Sequence, residues 1–274
     1  MLITGAGRGI GAALARHFAE AGAALALCAR SADELATTTR TVTSLGAPTF
    51  SACCDVSDPV AARLFVADAS SALGGIDVLI NNAAIAGPIA RLDDISPENW
   101  REVLEINLLG TVHMCQSTLP IFRRQGHGRI INMAGGGVGG KKFSPRKTAY
   151  ITSKFAIYGL TETLAAELDE RVITVNAISP GSVDSRLRDS LLETENQSET
   201  TAEQLSPAPA CRLAAFLASD FSGRLTGRIL SARWDLPRSW EQLAEYPVQN
   251  LYTLRRVDGI NFLDAGQNSL SSRI

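Results

Sequence analysis

Residues Thr4 to Gly11 read TGAGRGIG. The run follows a short apolar segment, Leu2-Ile3-Thr4. It opens a stretch, Gly9 to Ala21, whose apolar residues recur at helical spacing and which ends at a capping glycine, Gly22. A glycine-rich turn between strand and helix lets the backbone approach a pyrophosphate, and the helix N-terminus adds N–H groups and a positive dipole end. Glycines alone would also suit an ordinary turn. The strand–turn–helix setting is what points to a nucleotide phosphate held by Gly5, Arg8, Gly9, Ile10 and Gly11.

The same alternation continues along the chain. Strands are expected at Ala24–Cys28, Thr49–Cys54, Val78–Ile80, Arg129–Met133, Val172–Ile178 and Arg228–Ser231. Helices are expected at Ala32–Leu45, Pro59–Leu73, Ala149–Glu170 and Cys211–Leu217, and Pro97 to Gln125 reads as two helices with a break near Gly110. Short apolar runs separated by helical patterns predict a parallel sheet with crossover helices, a doubly wound α/β Rossmann fold in three layers. Residues 1–232 are expected to form one nucleotide-binding and catalytic domain. Asp184 to Pro209 is polar and reads as a surface lid. Residues 233–274 carry Trp234, Trp240, Tyr246, Tyr252 and Phe262 among many charges without sustained periodicity. They read as a C-terminal extension that packs on the main domain or on a neighbouring subunit, not as an independent domain.

Composition narrows the partners. The 274 residues are 45% hydrophobic, enough to bury a sizeable core. A net charge of −2 gives no electrostatic reason to expect nucleic acid or an anionic membrane. No apolar run approaches the length of a membrane span, and no basic segment precedes an apolar stretch, so a cytoplasmic location is expected. The five cysteines lack metal-ligand spacing and read as buried free thiols of a reducing compartment, with Cys53 and Cys54 pointing to opposite faces of a strand. No metal site is expected.

The second informative run is TAYITSK, Thr148 to Lys154. Tyr150 and Lys154 are four residues apart, so on a helix they share a face. A cation there stabilises phenolate and is expected to lower the tyrosine pKa from its reference of about 10. A phenol poised to give or take a proton beside a dinucleotide implies hydride chemistry on a carbonyl or alcohol. The nucleotide is expected to be NADP(H) rather than NAD(H). The second strand ends LALCARS, with Ala29 where an acidic residue would bond the ribose 2′-hydroxyl, followed by Arg30 and Ser31. Arg8 and Arg30 can bond a 2′-phosphate bidentately; the alternative is that both are solvated.

Taken as a set, these runs resemble the short-chain dehydrogenase/reductase family. TGAGRGIG is similar to its TGxxxGxG loop, NNAA at Asn81 to Ala84 to its NNAG, and Asp55-Val56 to the pair after the third strand. Asn107 in EINLLG, Tyr150 and Lys154 in YxxxK, and Asn176 with Pro180-Gly181 fall in the family's order over about Met1 to Ser231. The resemblance implies that Asp55 and Val56 hold the adenine and that Asn82 and Ala83 line the adenosine ribose. It further implies that Val183 meets the nicotinamide amide, that Pro180 and Gly181 contact the cofactor, and that Lys154 bonds the nicotinamide ribose. Tyr150 would be the acid and base, Asn107 would hold a water relaying protons from Lys154, and the chain would be a homodimer or homotetramer.

One member of the family's group is missing. A serine usually follows the fifth strand, but INMAGGGVGG puts Ala134 and Gly135 on those positions, and neither side chain can donate a hydrogen bond. Three readings stay open: backbone N–H groups of the glycine loop or a water replace the hydroxyl, Ser144 or another group folds back, or the chain binds nucleotide as a scaffold or sensor with little turnover. The basic run Lys141, Lys142, Arg146 and Lys147 borders this loop. It reads as a solvated rim or as a dock for an anionic small-molecule carbonyl substrate.

Overall fold

The computed structural model describes residues 1–135, 145–168, 172–181, 183, 206–233 and 235. Their centre is a seven-stranded sheet of β1 (Leu2–Thr4), β2 (Leu25–Ala29), β3 (Thr49–Cys53), β4 (Val78–Asn81), β5 (Gly128–Met133), β6 (Ile173–Ser179) and β7 (Ile229–Ser231). The spatial order is β3-β2-β1-β4-β5-β6-β7, and each neighbouring pair is parallel. The helices are α1 (Gly9–Glu20), α2 (Ala32–Ser44), α3 (Pro59–Leu73), α4 (Pro97–Leu104), α5 (Gly110–Gln125), α6 (Thr148–Glu167) and α7 (Ala208–Ala218).

Both faces of the sheet are covered, and the period of two along each strand divides the core. Ile3, Leu27, Ile80 and Ile131 pack with Leu14 and Phe18 of α1, Leu35 and Val42 of α2, and Leu213 of α7. Their neighbours Leu2, Ala26, Leu79 and Ile130 point the other way, onto Phe65 of α3, Met114 and Phe122 of α5, and Leu164 of α6. The strands therefore read as continuous apolar runs, because both faces are buried.

Strand order reverses between β1 and β4. A doubly wound sheet opens a crevice at such a switch point, beyond the carboxyl ends of its strands. Here those ends are Thr4-Gly5 and Asn81-Asn82. The Thr4 hydroxyl accepts hydrogen bonds from the Asn82 and Ala83 N–H groups, both at 3.0 Å, and the Asn82 amide donates to the Thr4 and Gly5 carbonyls. The glycine turn is thus tied to the end of β4.

Some boundaries differ from expectation. No break occurs at Gly110: α4 and α5 are joined through a π-helical turn, Glu105–Leu109. Gly110 serves contact instead, since a Cβ there would stand 2.5 Å from Cγ2 of Val56. Helix α7 begins at Ala208, inside the stretch read as a polar lid, because Pro209 in its first turn has a backbone angle already set for a helix start. The rest of that stretch, and the C-terminal extension beyond Asp235, lie outside the described residues. Four cysteines are buried as expected, but Cys53 is exposed at the end of the edge strand β3. Among the described residues no helix is long and apolar enough to cross a membrane, and no cluster of metal ligands forms.

Candidate active site

A cavity of about 710 Å³ opens at the switch point, within the usual range for small-molecule and cofactor pockets. Its lining brings together Gly5, Arg8, Gly9, Ile10, Arg30, Ser31, Asp55, Val56, Asn82 and Ala83, all expected from sequence. Gly11 does not line it but packs behind it. A Cβ on Gly11 would stand 2.1 Å from the Gly5 carbonyl oxygen, so only glycine lets α1 approach the turn this closely. Gly5 has φ +61°, a left-handed conformation suited to glycine. Arg8 makes no side-chain cap for α1, which leaves the first-turn N–H groups facing the cavity without one. Backbone donors at a helix N-terminus and two arginines make this cavity fit a phosphorylated dinucleotide.

The charges on its rim are balanced. Arg8 pairs with Glu34 at 3.0 Å, and Arg30 lies 4.0 Å from Asp55. Asp55 also accepts from the Ser57 N–H and hydroxyl, which fixes its turn. Glu34 sits in the first turn of α2 behind its Ser31 cap, and it too lines the cavity. Sequence reading missed Glu34.

Tyr150, Lys154, Asn107, Pro180, Gly181 and Val183 do not line this cavity. Helix α6 carries Tyr150 and Lys154 on one face as predicted, with the ammonium 5.8 Å from the centre of the phenol ring. Both are buried, at 8% and 3% exposure. The expected lowering of the tyrosine pKa is not found. Burial pushes the Tyr150 phenol up, with Tyr158 adding to the shift, and burial pulls Lys154 down to about 8. The physical reason is that desolvation disfavours the charged form of each group. The lysine also points its ammonium at the Met133 carbonyl, 2.9 Å away, at the end of β5. Val183 is buried, Pro180 half-buried and Gly181 exposed with φ +80°.

Asn107 lies in the π turn, almost fully buried. Its amide oxygen accepts from the Ile85 N–H, and its amide hydrogens go to the Ile85 carbonyl and the Ser153 hydroxyl. Ser153 in turn donates to the Tyr150 carbonyl at 2.7 Å. Since Ile85 lines the cavity, the chain Ile85–Asn107–Ser153–Tyr150 connects the nucleotide wall to the helix of the phenol. A π turn inside a helix is a common mark of a functional position. Ser153 escaped sequence reading, although its place three residues after Tyr150 was a usable signal.

At the position of the missing serine, both backbone donors are occupied. The Ala134 N–H donates to the Ile178 carbonyl at 2.8 Å, and the Gly135 N–H donates to the Tyr158 hydroxyl. The backbone-donor reading therefore fails at these two residues, because each N–H already serves the fold. Residues 136–144, with Ser144, Lys141 and Lys142, lie outside the described residues. Of the basic run, Arg146 is exposed and Lys147 buried.

The sequence matches the short chain dehydrogenase family over residues 1–196. It is 36% identical over 237 residues to the short-chain reductase protein NovJ of Streptomyces niveus, covering 82% of this chain and 89% of that protein. Among solved structures, a xylitol dehydrogenase bound to NAD+ superposes with a TM-score of 0.76 and 32% identity, over 84% of this chain and 95% of that one. An actinorhodin polyketide ketoreductase with NADPH gives 0.76 and 29%, over 84% and 94%. With this sheet order and these matches, the chain belongs to the short-chain dehydrogenase family of NAD(P)-dependent oxidoreductases.

Proposed function

We propose that this protein reduces a small-molecule carbonyl with NADPH, or oxidises the corresponding alcohol, with Tyr150 as acid and base. The observation that carries this reading is the buried pair on α6: a neutral phenol with a cation over its ring, joined through Ser153 and Asn107 to the wall of a dinucleotide cavity. A nicotinamide, when held by these residues, would supply or take up the hydride. Tyr150 gives its proton to the carbonyl oxygen in reduction and takes it back in oxidation. Lys154, placed beside the phenol, stabilises the phenolate left after proton transfer. Asn107 holds Ile85 and α6 in register, and the relay water that the family resemblance implies would lie between it and Lys154. Gly5, Gly9, Ile10 and Gly11 shape the phosphate cradle, with Asp55, Val56, Asn82 and Ala83 on the adenosine side and Pro180, Gly181 and Val183 at the nicotinamide end.

Arg8 and Arg30, with Ala29 in place of an acid, support NADP(H). A relative solved with NAD+ and another solved with NADPH leave that choice to residues such as these. Residues 1–232 would act as one domain with 233–274 appended, in a homodimer or homotetramer. Incubating the purified protein with NADPH and a panel of neutral and anionic carbonyl compounds tests the reading through loss of nicotinamide absorbance. Tyr150→Phe should lose roughly 10²–10⁴-fold in kcat while its NADPH dissociation constant stays unchanged; equal turnover by the variant would remove Tyr150 from the mechanism.

A second reading, nucleotide binding without turnover, is favoured by the occupied Ala134 and Gly135 N–H groups. NADPH binding with no carbonyl reduced by the wild-type chain is its signature.

A further inference from the structure

Tyr158 lies two helical turns after Tyr150 on α6, one turn beyond Lys154. Its ring is fully buried against Ala134, Ile157 and Ala177, with Phe155 edge-on at 6.1 Å. A buried phenol needs partners for its hydroxyl. This hydroxyl does not use its own helix. It accepts from the Gly135 N–H at 3.1 Å and donates to the Gly135 carbonyl at 3.3 Å. The Ser179 side chain, at the end of β6, lies near the same phenol.

Gly135 stands where a serine is usual. Its φ of +118° is a conformation that residues with a Cβ rarely adopt. Space is not the obstacle: a Cβ there would meet nothing nearer than Pro180 Cδ at 3.9 Å. The backbone conformation itself disfavours the usual side chain, and that conformation is held by Tyr158. Three consecutive residues at the exit of β5 are pinned in turn: Met133 by Lys154, Ala134 by Ile178, and Gly135 by Tyr158. Two of these three ties come from the helix that carries Tyr150.

We infer that Tyr158 is a positioning residue for the carbonyl step: its hydroxyl fixes the Gly135 peptide and so sets the wall beside which the substrate oxygen meets Tyr150. The inference rests on the reductase reading. A glycine released from this bond has wide backbone freedom, and it is followed in sequence by Gly136 and Gly137. The cavity for the adenosine and phosphates is lined by other segments, so most of the nucleotide's contacts do not involve this bond.

Tyr158→Phe keeps the ring and its packing and removes only the hydroxyl. In the full chain, kcat/KM for a carbonyl that the wild type reduces should fall about 10–100-fold. The NADPH dissociation constant, read by fluorescence titration, should stay within about twofold. In protein labelled with 15N-glycine, the Gly135 amide should exchange with solvent faster in the variant than in the wild type. Unchanged kcat/KM, unchanged Gly135 exchange, or a loss of NADPH affinity as large as the loss of turnover would each overturn the inference. A wild-type chain that binds NADPH and reduces no carbonyl marks failure of the reductase reading itself, and the inference falls with it. An active wild type with an unaffected variant marks failure of the inference alone.

Discussion

Lys154 carries an ammonium group into a site where it is only 3% exposed, with its hydrogen bond on the Met133 carbonyl. Burial lowers its pKa from an ordinary 10.5 to about 8. Between those values the unfolded chain holds a proton that the folded chain has released, so this group makes stability rise with pH across that window. Below about pH 8 the folded protein carries the desolvated charge and its full cost. Lys154→Met should therefore raise the unfolding free energy of the nucleotide-free protein at pH 7 by ~1–3 kcal/mol, flatten its pH dependence between 8 and 10, and abolish turnover. Denaturant unfolding at several pH values measures this; a destabilised variant would mean that the bond to Met133 outweighs the desolvation. Glu34 makes a second residue-scale case. It holds Arg8 at 3.0 Å on the rim where a 2′-phosphate would sit, and its own charge opposes that phosphate. Glu34→Gln should tighten NADPH binding about two- to fivefold, the scale of a partly exposed ion pair, and leave NADH binding unchanged. Competitive titration of the two nucleotides separates the outcomes, and equal gains for both would remove Glu34 as a determinant of choice. Arg8, Arg30 and Asp55 were legible in the sequence; Glu34 was not, because its pairing with Arg8 depends on how α2 turns its first residues toward the glycine loop.

At the scale of elements, the strand–turn–helix unit of residues 2–20 was readable because its glycines have a local cause. Gly11→Ala puts a Cβ 2.1 Å from the Gly5 carbonyl oxygen and 2.6 Å from the Asn82 amide. Neither the turn nor the end of β4 can yield without losing the bonds between Asn82 and the Thr4 and Gly5 carbonyls. We expect a loss of ~1–3 kcal/mol in stability and of NADPH binding, checked by thermal melts with and without nucleotide; a variant whose melting still rises with NADPH as in the wild type would show that the turn tolerates the methyl group. The π turn behaves differently. Gly110 suggested a break, yet the helix runs on, because Asn107 inside the turn has its amide satisfied by Ile85 and Ser153 and Gly110 packs on Val56. Both causes are long-range contacts, and a local pattern contains neither. Helix α6 lies between these cases. Tyr150 and Lys154 at an interval of four announced a shared face, but the partners of that face, which Tyr158 joins one turn further on, are carbonyls and an N–H at the end of β5.

For the whole molecule, the sheet order explains where stability and function lie. Strands β2, β1, β4, β5 and β6 are interior and buried on both faces, whereas β3 and β7 are edges, and β3 is only half-buried. Hydrogen exchange followed by mass spectrometry should find the slowest amides in the five interior strands and markedly faster ones in β3 and β7; protection of β3 equal to that of β5 would contradict a sheet in which edges open first. A polar thread crosses this core: the Asn81 amide donates to Asn132, and Asn132 donates to Thr161 of α6. It ties the site-bearing helix to two central strands. The sequence by itself determined the α/β class, the phosphate loop, the Tyr150–Lys154 pair and the absence of a serine side chain at Ala134 and Gly135, since each depends on residue type, spacing or periodicity within one segment. Only the tertiary structure decided that Lys154 loses part of its charge near pH 8, that Asn107 clamps Ile85, and that Tyr158 occupies the Gly135 peptide. Desolvation and hydrogen-bond pairing are properties of groups brought together from segments far apart in the chain, so they exist only once the sheet has closed over its helices.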